Sequence, residues 1–176
     1  YKIMKSNKAS LSYSSMPLKI SSPRLGFIGL GSIGLPIASN LAKAGFNLKV
    51  HTRSRSREND YRLKDAISCS SPKEVAKASD YLFICVSDDN AVEQVIYGQR
   101  GVIESLKCKS TIIDLSTISP HKARSLADRL KANNIDYIDA PVTGGTEGAF
   151  KGNLTIFFGG NEGKLKEVSN LLKPIS

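Results

Sequence analysis

Three groups of residues have types and spacing suited to chemistry. The first is Gly29-Leu30-Gly31-Ser32-Ile33-Gly34. Here Gly29 permits a tight turn, Gly31 lets backbone approach a pyrophosphate, and Gly34 lets a following helix pack against a preceding strand. The unpaired N–H groups at the positive end of that helix then face the negative charge. The second group is Val50-His51-Thr52-Arg53-Ser54-Arg55-Ser56-Arg57. A site that prefers NAD(H) carries Asp or Glu about twenty residues after the glycines, to bind the ribose hydroxyls. In this sequence no acid precedes Glu58. A guanidinium can grip a 2′-phosphate bidentately and stack on adenine, and Thr52 and Ser54 add hydroxyl donors. The pattern predicts NADP(H) over NAD(H), with Arg53 as the principal contact, while Arg55 or Arg57 reads as solvated basic loop. The third group is a pair of segments, Asp114-Leu115-Ser116-Thr117-Ile118-Ser119-Pro120 and Asp139-Ala140-Pro141-Val142-Thr143-Gly144-Gly145-Thr146-Glu147-Gly148-Ala149. Hydroxyls in the first and free N–H groups in the second could hold a carboxylate. Taken alone, each also reads as an ordinary strand-to-helix turn.

These residues need elements to position them. Apolar runs predict strands at Leu25–Leu30, Leu48–Thr52, Ala66–Cys69, Tyr81–Val86, Thr111–Leu115, Tyr137–Asp139 and Leu154–Phe158. Helical periodicity falls at Ile33–Ala44, Pro72–Ala78, Asn90–Ile96, Pro120–Ala132 and Gly163–Leu172. Ser71-Pro72 and Ser119-Pro120 are helix starts with proline at the first position. Alternation of near-continuous apolar strands with helices predicts an α/β fold, a doubly wound, mostly parallel sheet covered on both faces. The glycine hexapeptide then lies between a strand and a helix, the context that turns a weak motif into a dinucleotide-phosphate cradle.

At 176 residues the chain can hold one substantial domain, or one and part of another. Its formal charge of +9 invites a nucleic-acid reading. Yet Lys2, Lys5, Lys8, Lys19 and Arg24 supply five of those nine charges from residues 1–24, which hold no acid, and Arg53, Arg55 and Arg57 already have a role. Nucleic acid is therefore not the expected partner. No apolar run approaches the roughly 18 residues needed to span a bilayer. Cys69, Cys85 and Cys108 are odd in number and widely spaced, which excludes a disulfide framework or zinc knuckle and fits a reducing compartment. His51 and His121 share no ligand spacing with them, so no metal site is expected. Residues 1–23, rich in Lys and Ser, read as a disordered tail with residues 24–176 as the domain. The alternative is an organellar transit peptide. The expected location is cytoplasmic, or mitochondrion or plastid under that alternative.

Taken together, Gly26 through Gly34, Asp114–Pro120, and Asp139 through Gly160 with its Gly152-Asn153-Leu154-Thr155 resemble the β-hydroxyacid dehydrogenase family over residues 24–176. That family includes 3-hydroxyisobutyrate dehydrogenase, tartronate semialdehyde reductase and the glyoxylate/succinic semialdehyde reductases, with 6-phosphogluconate dehydrogenase a more distant relative. The resemblance implies a Rossmann-type domain and an NAD(P)-dependent oxidoreductase that interconverts a short β-hydroxy acid and its semialdehyde. It also implies that Gly29 to Gly34 and Arg53 hold the cofactor. By the same resemblance Val86 and Ser87 stand in place of the family's usual Leu-Pro, and Thr117 would lie beside the nicotinamide. Ser116, Thr143, Gly144 and Gly145 would bind the substrate's carboxylate or hydroxyl, Ser116 being the catalytic candidate within the chain.

The proton acceptor or donor such chemistry requires is, in that family, a lysine in a Lys-x-x-x-Asn motif several tens of residues beyond Asp-Ala-Pro-Val. Lys166-Glu167-Val168-Ser169-Asn170 matches the letters but comes too early, and reads as coincidence. The family's helical C-terminal domain has no counterpart here either. The expectation is therefore a cofactor-binding portion that is inactive alone, with homo-oligomers expected only of a full-length form. Two other functions fit the same residues: a non-catalytic NADP-binding or interaction module, and an imine-reducing relative.

Overall fold

The structure, a computed structural model, describes residues 2–4 and 22–176. Its centre is strand β2 (Leu25–Ile28), all four residues of which are buried; it follows the short β1 (Lys2–Met4). An apolar run buried on both sides belongs in the middle of a sheet covered on both faces. β2 pairs in parallel with β3 (Leu48–His51) on one edge and β5 (Tyr81–Ile84) on the other. Beyond β3 lies β4 (Ile67–Ser68), and beyond β5 come β6 (Thr111–Asp114) and β7 (Asp136–Asp139), all parallel. The order β4-β3-β2-β5-β6-β7 is that of a doubly wound dinucleotide-binding sheet, and it reverses between β2 and β5.

Side chains leave the strands alternately, and this sorts them into two cores. Leu25, Phe27, Phe83 and Ile113 join one cluster, while Leu82, Ile84 and Ile112 join the other. The first core lies under α1 (Gly34–Lys43), α5 (Gly145–Lys151) and α6 (Glu162–Leu172). The second lies under α2 (Pro72–Lys77), α3 (Asp89–Tyr97) and α4 (Pro120–Lys131). Phe27 and Phe83 stack with ring centroids 6.0 Å apart at the centre of the first. Arg24 donates to Asp80 through its backbone amide, Nε and NH2, which sets the register where β2 and β5 begin.

Element types follow the expected pattern, with ends moving by one or two residues. Three parts of the chain differ. Strand β9 (Thr155–Phe158) does not extend the parallel sheet. It pairs antiparallel with β8 (Val142–Thr143) and with β1 in a separate three-stranded sheet, tied to the first by a bridge between Asp139 and Gly159. Pro141 has no N–H to continue the β7 ladder, so the chain turns out of the sheet there. Second, residues expected to form only a glycine-rich loop include α5. Third, Lys2–Met4, within the expected tail, form β1, and the Lys2 ammonium meets Glu162. The remainder of that tail through residue 21, and with it the transit-peptide alternative, lies outside the described residues. Among the described residues no helix is long and apolar enough to cross a membrane.

Candidate functional site

A cleft of about 1030 Å³ opens at the carboxyl ends of β2, β3, β5 and β6. The reversal of winding between β2 and β5 sends the following helices to opposite faces, and the gap between them is where such sheets bind ligands. The whole turn from Gly29 to Gly34 lines this cleft. Gly29 has φ +102°, and a Cβ there would stand 2.1 Å from Cys85 O. A Cβ on Gly34 would stand 1.9 Å from Gly29 O, so the helix seats on the turn only without one. Gly31 differs: among the described residues, its own chain neighbours aside, no atom lies within 4 Å of where its Cβ would be. No described residue demands glycine there, whereas a diphosphate seated against the backbone would.

Helix capping marks the same place. Ser71, Asp88, Ser119 and Asn161 cap α2, α3, α4 and α6 by accepting from N–H groups of the first turn. Helices α1 and α5 have no side-chain cap, and of these two only α1 also lacks an acid in its first turn. In α1, Leu35 N–H donates to Gly31 O at 3.1 Å and Pro36 has no N–H, so what this helix start offers an anion is its uncapped, acid-free positive end. These features fit a dinucleotide.

At the end of β3, Thr52, Arg53 and Ser54 line the cleft. They form a turn closed by Arg55 N–H donating to Thr52 O at 3.1 Å, with Arg55 at φ +60°. Glu58 is folded beneath this turn, its side chain only 2 % exposed, and does not line the cleft. One carboxylate oxygen accepts from Thr52 N–H at 2.9 Å. The other accepts from Arg55 Nε at 2.7 Å and from the Ser68 hydroxyl. His51 Nδ1 lies 3.3 Å from the first oxygen and 3.0 Å from Cys69 O. Arg57 reaches back over the glycine turn, its NH1 donating to Leu30 O at 3.4 Å. Arg55 and Arg57 are both exposed, in keeping with the solvated basic loop of the sequence reading, and each also makes a contact with the chain.

The opposite wall comes from the ends of β5 and β6. Ser116 Oγ accepts from Val86 N–H at 3.0 Å, and Ser116 N–H donates to Asp114 Oδ1 at 3.0 Å. The Tyr137 hydroxyl donates to the other Asp114 oxygen at 2.7 Å. Burial pushes the Asp114 pKa up to about 6, against the opposing pull of hydrogen bonds from Ser116 and Tyr137. Burial likewise raises the Cys85 thiol, also on the wall, to about 12, which leaves it an inert thiol at neutral pH.

The cleft thus gathers Gly29 to Gly34, Thr52 to Ser54, Val86, Ser87, Ser116 and Thr117. Thr117 is exposed, but Ser116 is 2 % exposed and its hydroxyl is engaged by the chain itself. Thr143, Gly144 and Gly145 are exposed but do not line the cleft, which takes only the neighbouring Val142. Lys166 and Asn170 lie exposed on α6, away from it. The sequence reading missed Asp88, Asn90 and Gln94, which line the cleft from the start of α3. Ser87-Asp88-Asp89-Asn90 carried the signal, since Asp88 is a helix N-cap, its Oδ1 accepting from Ala91 N–H at 2.8 Å. The hydrogen bond from the Ser87 hydroxyl, and after it that N–H, hold the Asp88 carboxyl below the ordinary range.

Comparison with known proteins agrees with this geometry. Residues 24–176 match the NAD binding domain of 6-phosphogluconate dehydrogenase. The chain is 40 % identical over 150 residues to 2-hydroxy-3-oxopropionate reductase of Escherichia coli, covering 85 % of this chain and 51 % of that protein. It superposes with TM-score 0.79 and 28 % identity on 3-hydroxyisobutyrate dehydrogenase from Salmonella typhimurium, covering 88 % of this chain and 54 % of that one. A structure described as Psf3 in complex with NADP+ and 2-OPP gives TM-score 0.81 and 32 % identity, covering 86 % and 54 %. The chain spans about half the length of the relatives it matches.

Proposed function

The chain belongs to the β-hydroxyacid dehydrogenase family, as its NAD(P)-binding domain, and from that membership we propose that it holds NADP(H) in preference to NAD(H), for an oxidoreductase that interconverts a short β-hydroxy acid and its semialdehyde. One observation carries the cofactor preference. The turn after β3 presents Arg53 and Ser54 to the cleft, while the first acid, Glu58, is turned beneath it. A β3 end that offers a guanidinium and no carboxylate of its own favours a ribose bearing a 2′-phosphate.

A nicotinamide held here would supply or accept the hydride. The chain's own residues would hold the dinucleotide: α1 and the Gly29–Gly34 turn the diphosphate, Arg53 and Ser54 the adenosine phosphate, and Val86, Ser87 and Thr117 the nicotinamide half. Ser116 serves as a positioning residue for the Val86 amide. Thr143, Gly144 and Gly145, at the rim beside Val142, would meet the substrate carboxylate together with the remainder of a longer protein. The substrate class is that of the relatives, small hydroxy acids and semialdehydes.

The test is fluorescence titration of the chain with NADPH and NADH, repeated in Arg53→Ala. NADPH is expected to bind at least about tenfold more tightly, with the difference largely lost in the variant. A wild-type chain that prefers NADH, or an unchanged ratio in Arg53→Ala, would overturn this reading.

A further inference from the structure

Glu58 has a geometry that the cofactor preference alone does not explain. It is a side chain of the β3–β4 connection, 2 % exposed, whose two oxygens meet donors from both ends of one turn. Thr52 N–H, at the start of the turn, reaches one oxygen, and Arg55 Nε, at its end, reaches the other. Arg53 and Ser54 are the two central residues between them, and both face the cleft. The Ser68 hydroxyl on β4 holds the carboxylate from behind, so the clamp is anchored to the sheet rather than to the loop. Arg55 has φ +60°, a left-handed conformation that a non-glycine residue keeps only when its surroundings fix it. Its N–H closes the turn on Thr52 O and its side chain pairs with Glu58, the two contacts that hold it there.

We propose that Glu58 is a specificity-determining positioning residue, a buried carboxylate clamp that fixes the Thr52–Arg55 turn and so aims Arg53 at the 2′-phosphate. It acts in a second way through its own charge. The same carboxylate, if released into the cleft edge, would accept ribose hydroxyls and repel a phosphate, which is the arrangement of a site selective for NAD(H). Sequestering it under the turn removes that competitor. One buried residue thereby sets both the attractive and the repulsive part of the discrimination. The arginines of this loop divide the labour accordingly: Arg55 completes the clamp, and Arg53 meets the ligand.

This inference rests on the NADP(H) reading above, and the experiment separates the two. NADPH and NADH dissociation constants are measured for the wild-type chain, Glu58→Gln and Ser68→Ala, with thermal unfolding of each. Glu58→Gln keeps size and an acceptor for Thr52 but loses the charge that holds Arg55. Its NADPH affinity is expected to fall at least fivefold while its NADH affinity holds or improves, so that the ratio between them collapses. Ser68→Ala, whose side chain never meets the cleft, is expected to shift the ratio in the same direction by a smaller factor, and it carries the test if Glu58→Gln does not fold. Equal losses for both cofactors would mark Glu58 as merely structural and overturn the inference, as would an unchanged ratio. A wild-type chain that prefers NADH would instead undo the cofactor reading before any variant is compared.

Discussion

Ser116 Oγ accepts a hydrogen bond from the Val86 amide at 3.0 Å, joining the carboxyl ends of β5 and β6. This hydroxyl lies at the wall of the cleft, and its loss should register in both stability and binding. Ser116→Ala strips the Val86 N–H of its partner, at a cost of about 1–2 kcal/mol. Urea unfolding is expected to show that loss, and NADPH titration a severalfold weakening. If neither changes, the bond does not hold this wall.

Beneath Ser116, the Asp114 carboxyl titrates at about 6 because of its burial. The folded chain therefore keeps a proton that the unfolded chain, with an ordinary carboxyl value near 4, has already released. The contribution of Asp114 to stability is expected to decline as pH rises from about 4 to about 6 and to level off above, a penalty of about 3 kcal/mol at neutral pH. Asp114→Asn should flatten that slope, with its gain over wild type growing across the same interval. Parallel stability curves for the two proteins would contradict the assignment.

The glycines of the cradle separate fold from function. Gly31→Ala meets no described residue beyond its chain neighbours, so its melting temperature is expected to match wild type, while NADPH affinity falls at least about tenfold from collision with the diphosphate. Gly34→Ala places a methyl 1.9 Å from Gly29 O and is expected to lose at least about 2 kcal/mol of stability. Unfolding curves and titrations of the pair test this. If Gly31→Ala bound NADPH normally, the diphosphate could not lie against that turn.

Helix α1, without a cap of its own, should gain from the ligand. NADPH at about one hundred times its dissociation constant is expected to stabilise the chain by about 2.7 kcal/mol. NADH at the same concentration is expected to give a smaller rise in melting temperature. Identical rises would count against a role for Arg53.

Much of the fold was legible because local signals agreed. Leu25–Ile28, the glycines and the apolar face of α1 each point to strand, turn and helix in that order. Helix α5 was not, because Gly145-Thr146-Glu147-Gly148 has poor intrinsic helix propensity. What holds it is distant: Asn40 Nδ2 donates to Ala149 O at 2.8 Å, and Ala149 is buried in the core beneath α1. Gly152, at φ +61°, ends it in a left-handed cap.

In the site, Arg53 could be read from the absence of an acid, since chemistry there follows from residue type. Glu58 could not. Its partners Thr52 and Ser68 come together only when β3 and β4 pair, and no spacing announces that. Ser116 lies between the two cases. Its type suggested contact with a ligand, but no spacing announced that its Oγ also accepts from the Val86 amide.

The strand order also governs how the molecule assembles. One edge of β2 is completed by β3, which follows after a single helix. The other waits for β5, whose approach is marked by Arg24 bonding to Asp80, 56 residues away. Closing so long a loop costs entropy before its contacts return anything, which makes it a slow step. The cleft lies across that seam. During refolding, the ability to capture nucleotide will therefore lag behind the gain of helical signal, and nucleotide fluorescence will time the closing of the sheet rather than its beginning.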